Sequence, residues 1–258
     1  MTNYSIIIDS SVLRRKIHVR FLVPEGDNLQ CLFLLHGFAG NQDEWDRMSR
    51  IRSVAEEFKI AVVMPGCGNG YYEDTQENMS KFIAEELVAY AVRELPISGL
   101  KKDTFIGGVS MGGFGALLVA AKYSHVFGKV ASFSGAFIIH DVAIGNPGIL
   151  GNADVNFFRS VFGDFSTLEG SSRDPVAEMI RSSKTNNAPA ILLLCGRDDV
   201  LYRANQRVVK ELQSNGIAVA WYGAGGRHQW AFWNNMLPYV IRWLVAGILP
   251  EEEDGERL

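Results

Sequence analysis

Ser110, Asp199 and His228 are the residues whose types and order in this chain suit nucleophilic acyl transfer. A serine hydroxyl is a weak nucleophile until a base takes its proton. A carboxylate behind that base orients the imidazole and stabilises its charged form. Ser110 stands in Gly108-Val109-Ser110-Met111-Gly112, after the strand-like Thr104-Phe105-Ile106-Gly107 and before an apolar run from Gly113 to Ala121. A G-x-S-x-G between strand and helix forces a sharp turn that lifts the hydroxyl above a sheet. The two outer glycines remove side chains that would collide at such a turn. The serine then sits at a helix N-terminus, where free N–H groups favour developing negative charge. A Gly-rich turn that merely packs a helix on a sheet would match the same pattern. The strand–turn–helix context and the partners that follow favour the nucleophile.

On such an elbow the partners follow the serine in the order acid, then histidine. Of the five histidines, His18 and His36 precede Ser110, and His125 and His140 follow it. Only His228, in Gly225-Gly226-Arg227-His228-Gln229-Trp230, comes after a late strand with a carboxylate upstream, so it is the expected general base. The strand Ala190–Cys195 runs into Gly196-Arg197-Asp198-Asp199 and offers two acids. Asp199 is the expected partner, three residues past the glycine and just before the next helix, with Asp198 as a turn or cap residue. A developing oxyanion needs preorganised N–H donors. The Met111 N–H is one by the geometry of the elbow. The loop His36-Gly37-Phe38-Ala39-Gly40 should supply the other through the Phe38 N–H, with His36 as a buried structural residue.

Positioning these groups requires alternating strands and helices. Tyr4–Ile8 and Lys16–Val23 read as an antiparallel hairpin turning at Leu13-Arg14-Arg15. Cys31–Leu35, Ala61–Met64, Thr104–Gly108, Lys129–Phe133, Ala190–Cys195 and Ala218–Tyr222 are mostly continuous apolar runs, as expected of parallel strands covered on both faces. Helical spacing follows Asp74 and Glu77, spans Tyr202–Ser214, and recurs from Trp230 to Val245, where Pro238 should kink or split the helix. The pattern predicts a single α/β domain over 1–258, mostly parallel, with ligands at the carboxyl ends of the strands. Residues 136–188 break the rhythm and read as an insertion over the active site. The acidic stretch Glu251-Glu252-Glu253-Asp254 reads as a solvated end.

Aromatics gather near the expected site: Phe137, Phe157, Phe158 and Phe162 in the insertion, and Trp45, Tyr71, Tyr72 and Trp230 in loops at the sheet edge. Each could simply be core. Together they could wall a compact apolar pocket, with Trp45 and Trp230 as candidate substrate contacts.

A net charge of −4 gives no electrostatic reason to expect nucleic acid as a partner. No run has the length of a membrane span, and Met1-Thr2-Asn3-Tyr4-Ser5 lacks the marks of a signal peptide, so a cytoplasmic location is expected. Cys31, Cys67 and Cys195 are odd in number, and no pair has metal-ligand spacing. They read as buried thiols, with Cys67 in a Gly-rich loop as the one that could be exposed and reactive.

The motif set extends well past these residues. His36-Gly37-Phe38-Ala39-Gly40-Asn41, the run from Met64-Pro65 to Gly70-Tyr71-Tyr72-x-Asp74-Thr75, the Ser110 elbow, Ala131-Ser132-Phe133-Ser134-Gly135-Ala136, Cys195-Gly196-x-x-Asp199 and Gly226-x-His228-x-Trp230 together resemble the tributyrin esterase branch of the esterase-D-related α/β-hydrolases. The resemblance implies an α/β-hydrolase fold and a cytoplasmic serine carboxylesterase for short acyl chains. It implies no metal or organic cofactor, a small-molecule ester as substrate, and a homo-oligomer such as a dimer or tetramer. Gln229 departs from the acidic residue expected of relatives there, while Ser110, Asp199 and His228 stay intact. Other chemistries on the same residues are a thioesterase resembling S-formylglutathione hydrolases, a sugar or feruloyl deacylase, or an acyltransferase. A non-catalytic binding protein on this fold is the reading that the intact Ser110, Asp199 and His228 argue against.

Overall fold

A computed structural model describes residues 1–144, 155–185 and 187–249. Its centre is one eight-stranded sheet: β1 (Thr2–Ser10), β2 (Arg15–Val23), β3 (Gln30–Leu35), β4 (Ile60–Pro65), β5 (Thr104–Val109), β6 (Lys129–Phe133), β7 (Ala190–Gly196) and β8 (Val219–Ala224). Spatially the order is β1-β2-β4-β3-β5-β6-β7-β8. The first two strands form the expected hairpin, with Ile7 opposite His18, and Arg14 takes a left-handed φ of 54° in the turn. β2 pairs antiparallel with β4, and every pairing from β4 through to β8 is parallel.

The parallel strands are apolar throughout because both their faces are covered. One face packs under the helices Met111–Lys122 and Tyr202–Ser214, which contribute Phe114, Leu117, Leu118, Val208 and Leu212. The other packs under Ile51–Glu57 and Trp230–Ala246, which contribute Val54, Leu237, Val240 and Ile241. The helix Met111–Lys122 is buried along its whole length except Lys122. An apolar surface on all sides suits such a helix. This is the α/β-hydrolase fold, with an antiparallel N-terminal hairpin and helices on both faces of the sheet.

Two helices differ from expectation. The helix expected after Asp74 begins only at Met79, and Phe82–Leu87 within it is π-helical. Asp74 still serves its start from outside, accepting the Ser80 N–H at 2.8 Å while pairing with Lys122. The final helix runs unbroken from Trp230 to Ala246 through Pro238. Proline cannot donate to the carbonyl four residues earlier. That carbonyl, on Asn234, instead accepts from Arg50 Nε at 3.3 Å, and Asn234 Oδ1 accepts the Arg50 N–H at 2.9 Å.

The stretch between β6 and β7 carries helices at Ile139–Ala143, Val155–Phe162 and Pro175–Ser183. The last starts on an Asp174 cap, which accepts the Val176 and Ala177 N–H groups, with Pro175 in the first turn. Val155–Phe162 buries Phe158, Val161 and Phe162 beneath it. The acidic stretch from Glu251 lies outside the described residues. All three cysteines are buried free thiols, so the exposed alternative for Cys67 is corrected: the Gly-rich loop folds inward and leaves it 5% exposed. Burial pushes the Cys31, Cys67 and Cys195 thiols above their ordinary range. Among the described residues, no helix is long and apolar enough to cross a membrane.

Candidate active site

The β5–helix junction is as tight as its glycines suggest. Ser110 sits at φ 54°, ψ −115°, a conformation that L residues seldom adopt. A Cβ on Gly108 would lie 2.4 Å from the Gly112 carbonyl oxygen, and one on Gly112 would lie 2.5 Å from that of Leu35. Neither position can carry a side chain without moving backbone. The turn is held by its own amides: Ser110 N–H donates to Phe133 O at 2.9 Å, and the Ala136 N–H donates to Ser110 O at 2.9 Å.

Two further loops meet the serine at the carboxyl edge of the sheet. The turn after β7 and the loop after β8 are clamped together by backbone bonds, Arg197 N–H to Ala224 O at 2.7 Å and Asp198 N–H to Gly226 O at 2.9 Å. Gly196 permits this approach, since its Cβ would stand 2.3 Å from Gly226 O. The clamp brings His228 Nδ1 to 2.9 Å from Asp199 Oδ2 and 3.1 Å from Oδ1. His228 Nε2 lies 3.0 Å from Ser110 Oγ. With the Nδ1 proton facing the carboxylate, Nε2 presents a lone pair to the hydroxyl. The three side chains thus form one hydrogen-bonded chain, which can draw a proton from the serine.

Asp199 is 6% exposed, whereas Asp198 lies in solvent. Burial alone would raise the Asp199 pKa. The bonds it accepts from His228, from the Leu201 N–H at 2.8 Å and from the Ser134 hydroxyl outweigh that and hold it below the ordinary carboxylate value. Ser134 in turn accepts from Trp233 Nε1 at 3.0 Å, and the Trp233 ring meets the His228 ring edge-on at 4.9 Å. Sequence reasoning gave no role to Ser134 or Trp233. One available signal was a polar Ser-Gly pair at the carboxyl end of an apolar strand, the same position Ser110 holds after β5. Ser134 also shares the left-handed backbone, at φ 48°.

The Met111 N–H lies in the first turn of its helix, where amides have no intrahelical partner. The loop after β3 runs alongside, since Gly112 packs against the Leu35 and His36 carbonyls. In it the Phe38 N–H has no protein acceptor among the described residues, and the Phe38 side chain is exposed. His36 is buried and structural, as expected. Its Nδ1 faces Gly37 O at 2.7 Å and its Nε2 accepts the Cys67 N–H at 3.0 Å. Burial lowers its pKa against the pull of the Gly37 carbonyl.

Trp45 requires correction. It is 1% exposed, its ring is edge-on to Phe133, and its indole N–H donates to Leu35 O at 2.9 Å. Trp45 is therefore a core residue that braces the end of β3, not a wall for substrate. Trp230 is half-buried, edge-on to Trp45 and Trp233. Tyr71, Tyr72, Phe158 and Phe162 are also buried, and Phe137 nearly so. Phe157 is different: half-buried on Val155–Phe162, it meets the Phe38 ring edge-on at 5.3 Å. Among the described residues, no group of three or more His, Cys, Asp or Glu could hold a metal ion.

Residues 10–244 match a family model described as "Putative esterase". An acetyl esterase of Caldicellulosiruptor saccharolyticus is 35% identical over 226 residues, covering 85% of each chain. Among solved structures, the substrate-bound fluorophosphonate-binding serine hydrolase F of Staphylococcus aureus superposes with a TM-score of 0.85 at 24% identity, covering 95% of this chain and 98% of that one. An S-formylglutathione hydrolase of the same organism gives 0.83 at 24% identity with the same coverage. At those identities the structures speak for the fold, while the family model and the acetyl esterase speak for the family. The chain belongs to this esterase family and is a carboxylic ester hydrolase.

Proposed function

We propose that the protein is a serine carboxylesterase for short-acyl esters, of the tributyrin esterase branch, with Ser110 as nucleophile, His228 as general base and Asp199 as its orienting acid. The observation that carries this reading is the continuous chain from Ser110 Oγ through His228 to Asp199. Ser110 Oγ attacks the ester carbonyl carbon as its proton passes to His228 Nε2. The Phe38 and Met111 N–H groups face the oxygen that takes the negative charge. Collapse of the adduct breaks the bond to the alcohol oxygen, which leaves with the proton from His228. Water then attacks the acyl-serine, giving its proton to His228, and the acid departs as Ser110 recovers that proton. These steps use Ser110, His228, Asp199, two backbone N–H groups, the ester and one water. The buried free thiols suit a reducing compartment, and we place the enzyme in the cytoplasm.

Short acyl groups are favoured by two observations. The curated relative at 35% identity is an acetyl esterase. In addition, Phe157 from the stretch between β6 and β7 packs on Phe38, which supports an insertion that closes over the site and limits its depth. Each methylene that fits should gain up to about 0.8 kcal/mol of burial, and overpacking should reverse the gain once the pocket is full. In a series of monomeric p-nitrophenyl esters from acetate to palmitate, kcat/KM should peak at about two to four acyl carbons and fall well before lipid length. A preference that rises steadily to long chains would overturn the short-acyl reading. A thioester in the same panel that outranks every oxygen ester would reassign the substrate class.

A further inference from the structure

In the loop between β3 and the helix Glu44–Met48, side chains fix the amides on either side of Phe38. The Gly37 N–H donates to Glu44 Oε2 at 2.9 Å, and the Ala39 N–H donates to Asn69 Oδ1 at 2.8 Å. Between them lies Phe38, whose own N–H has no protein acceptor among the described residues. Behind the loop, Tyr72 Oη donates to His36 O at 2.8 Å and Trp45 Nε1 to Leu35 O at 2.9 Å.

We infer that Glu44 and Asn69 are positioning residues for the oxyanion site, holding the Gly37 and Ala39 amides so that the Phe38 N–H is aimed at the reacting carbonyl oxygen. The inference rests on Ser110 being the nucleophile and extends that reading to residues that touch no substrate.

Three features separate this arrangement from ordinary loop packing. First, the loop wraps the carboxylate closely: a Cβ on Gly40 would lie 2.3 Å from Glu44 Oε2. Second, Ala39 holds a left-handed φ of 60°, a conformation seldom adopted by residues other than glycine, and its amide is the one Asn69 fixes. Third, a half-buried carboxylate carries a desolvation cost, and burial does raise the Glu44 pKa, against the opposing pull of the Gly37 N–H and Arg47. An apolar residue would fill this space without that cost, but it could not accept the Gly37 N–H. Preorganised donors act in the transition state more than in the ground state. Loss of either tie should therefore appear in kcat and leave KM nearly unchanged.

The test is steady-state kinetics on p-nitrophenyl acetate for Glu44→Ala, Glu44→Gln, Asn69→Ala and Ser110→Ala, each checked for folding by circular dichroism. Loss of a whole oxyanion donor costs about 10²–10³ in kcat, so a misaimed one should cost about 10–10². Glu44→Ala and Asn69→Ala should both lose kcat on that scale with KM within about threefold. Glu44→Gln keeps a carbonyl acceptor for the Gly37 N–H and should restore most of what Glu44→Ala loses. If Glu44→Ala does not fold, Glu44→Gln and Asn69→Ala carry the test. Affinity for a trifluoromethyl ketone, whose adduct places an oxyanion in the site, should fall in step with kcat/KM. Folded Asn69→Ala with kcat unchanged, or Glu44→Gln as impaired as a folded Glu44→Ala, would overturn the inference. Activity retained in Ser110→Ala would instead locate the fault in the nucleophile assignment.

Discussion

At the scale of single residues, Asp198 and Asp199 are neighbours with opposite surroundings. One is solvated on a turn, while the other is buried and receives bonds from His228, Leu201 and Ser134. Asp199→Asn should therefore lower kcat by about 10⁴, since an amide can fix the imidazole in the wrong tautomer, whereas Asp198→Asn should change it little. Equal losses, or the reverse ranking, would contradict the assignment. The same carboxylate contributes to stability with a definite sign. Its folded pKa lies below the ordinary value of about 3.9, so its ionised form stabilises the fold above that pH, and this contribution is lost as pH falls through the folded value. The gap in urea midpoint between the wild type and Asp199→Asn should be widest near neutrality and narrow on acidification below about pH 4. A gap that widened in acid would show that the carboxylate is not stabilised in its charged form.

At the scale of elements, the site depends on junctions that admit no side chain. Gly108→Ala would drive a Cβ to within 2.4 Å of backbone at Gly112, where no rotamer change can relieve it. It should cost at least about 1–3 kcal/mol in chemical denaturation, as overpacking against an immovable neighbour does. Gly225→Ala meets no atom within 4 Å and should stay within about 0.5 kcal/mol of wild type. Most of this architecture was legible in the sequence. The six strands from β3 to β8 form where mostly apolar runs predicted them, because a strand covered on both faces has no need of polar residues. β1 and β2 form the hairpin that alternation predicted. The proposed acid was legible too, because the distance from Gly196 to the next helix leaves few positions for it. What escaped depends on contacts between distant positions. Pro238 passes without breaking its helix because Arg50, 184 positions away, takes the freed carbonyl. Trp45 looked like a pocket wall, but its destination was set by the Leu35 carbonyl that accepts its indole N–H. The Trp233–Ser134 bond spans 99 positions and leaves no local pattern to find.

At the scale of the whole molecule, the parallel sheet gathers chemistry at one edge. The Ser110 elbow follows β5, Ser134 follows β6, Asp199 follows β7, His228 follows β8, and the Phe38 loop follows β3. Ligands bind at the carboxyl ends of strands in such sheets because successive loops converge there. The helices between β6 and β7 then approach from above, through the Phe157–Phe38 contact. This convergence should make one serine nucleophilic. Among the serines of the chain, only Ser110 should combine a base at its hydroxyl with oxyanion donors beside it. The most direct measurement is peptide mapping by mass spectrometry after treatment of the native enzyme with a fluorophosphonate probe. A single adduct on the peptide holding Ser110, in step with loss of esterase activity and absent from folded Ser110→Ala, is the predicted result. Adduct on a different residue, or inactivation that persists in Ser110→Ala, would contradict it.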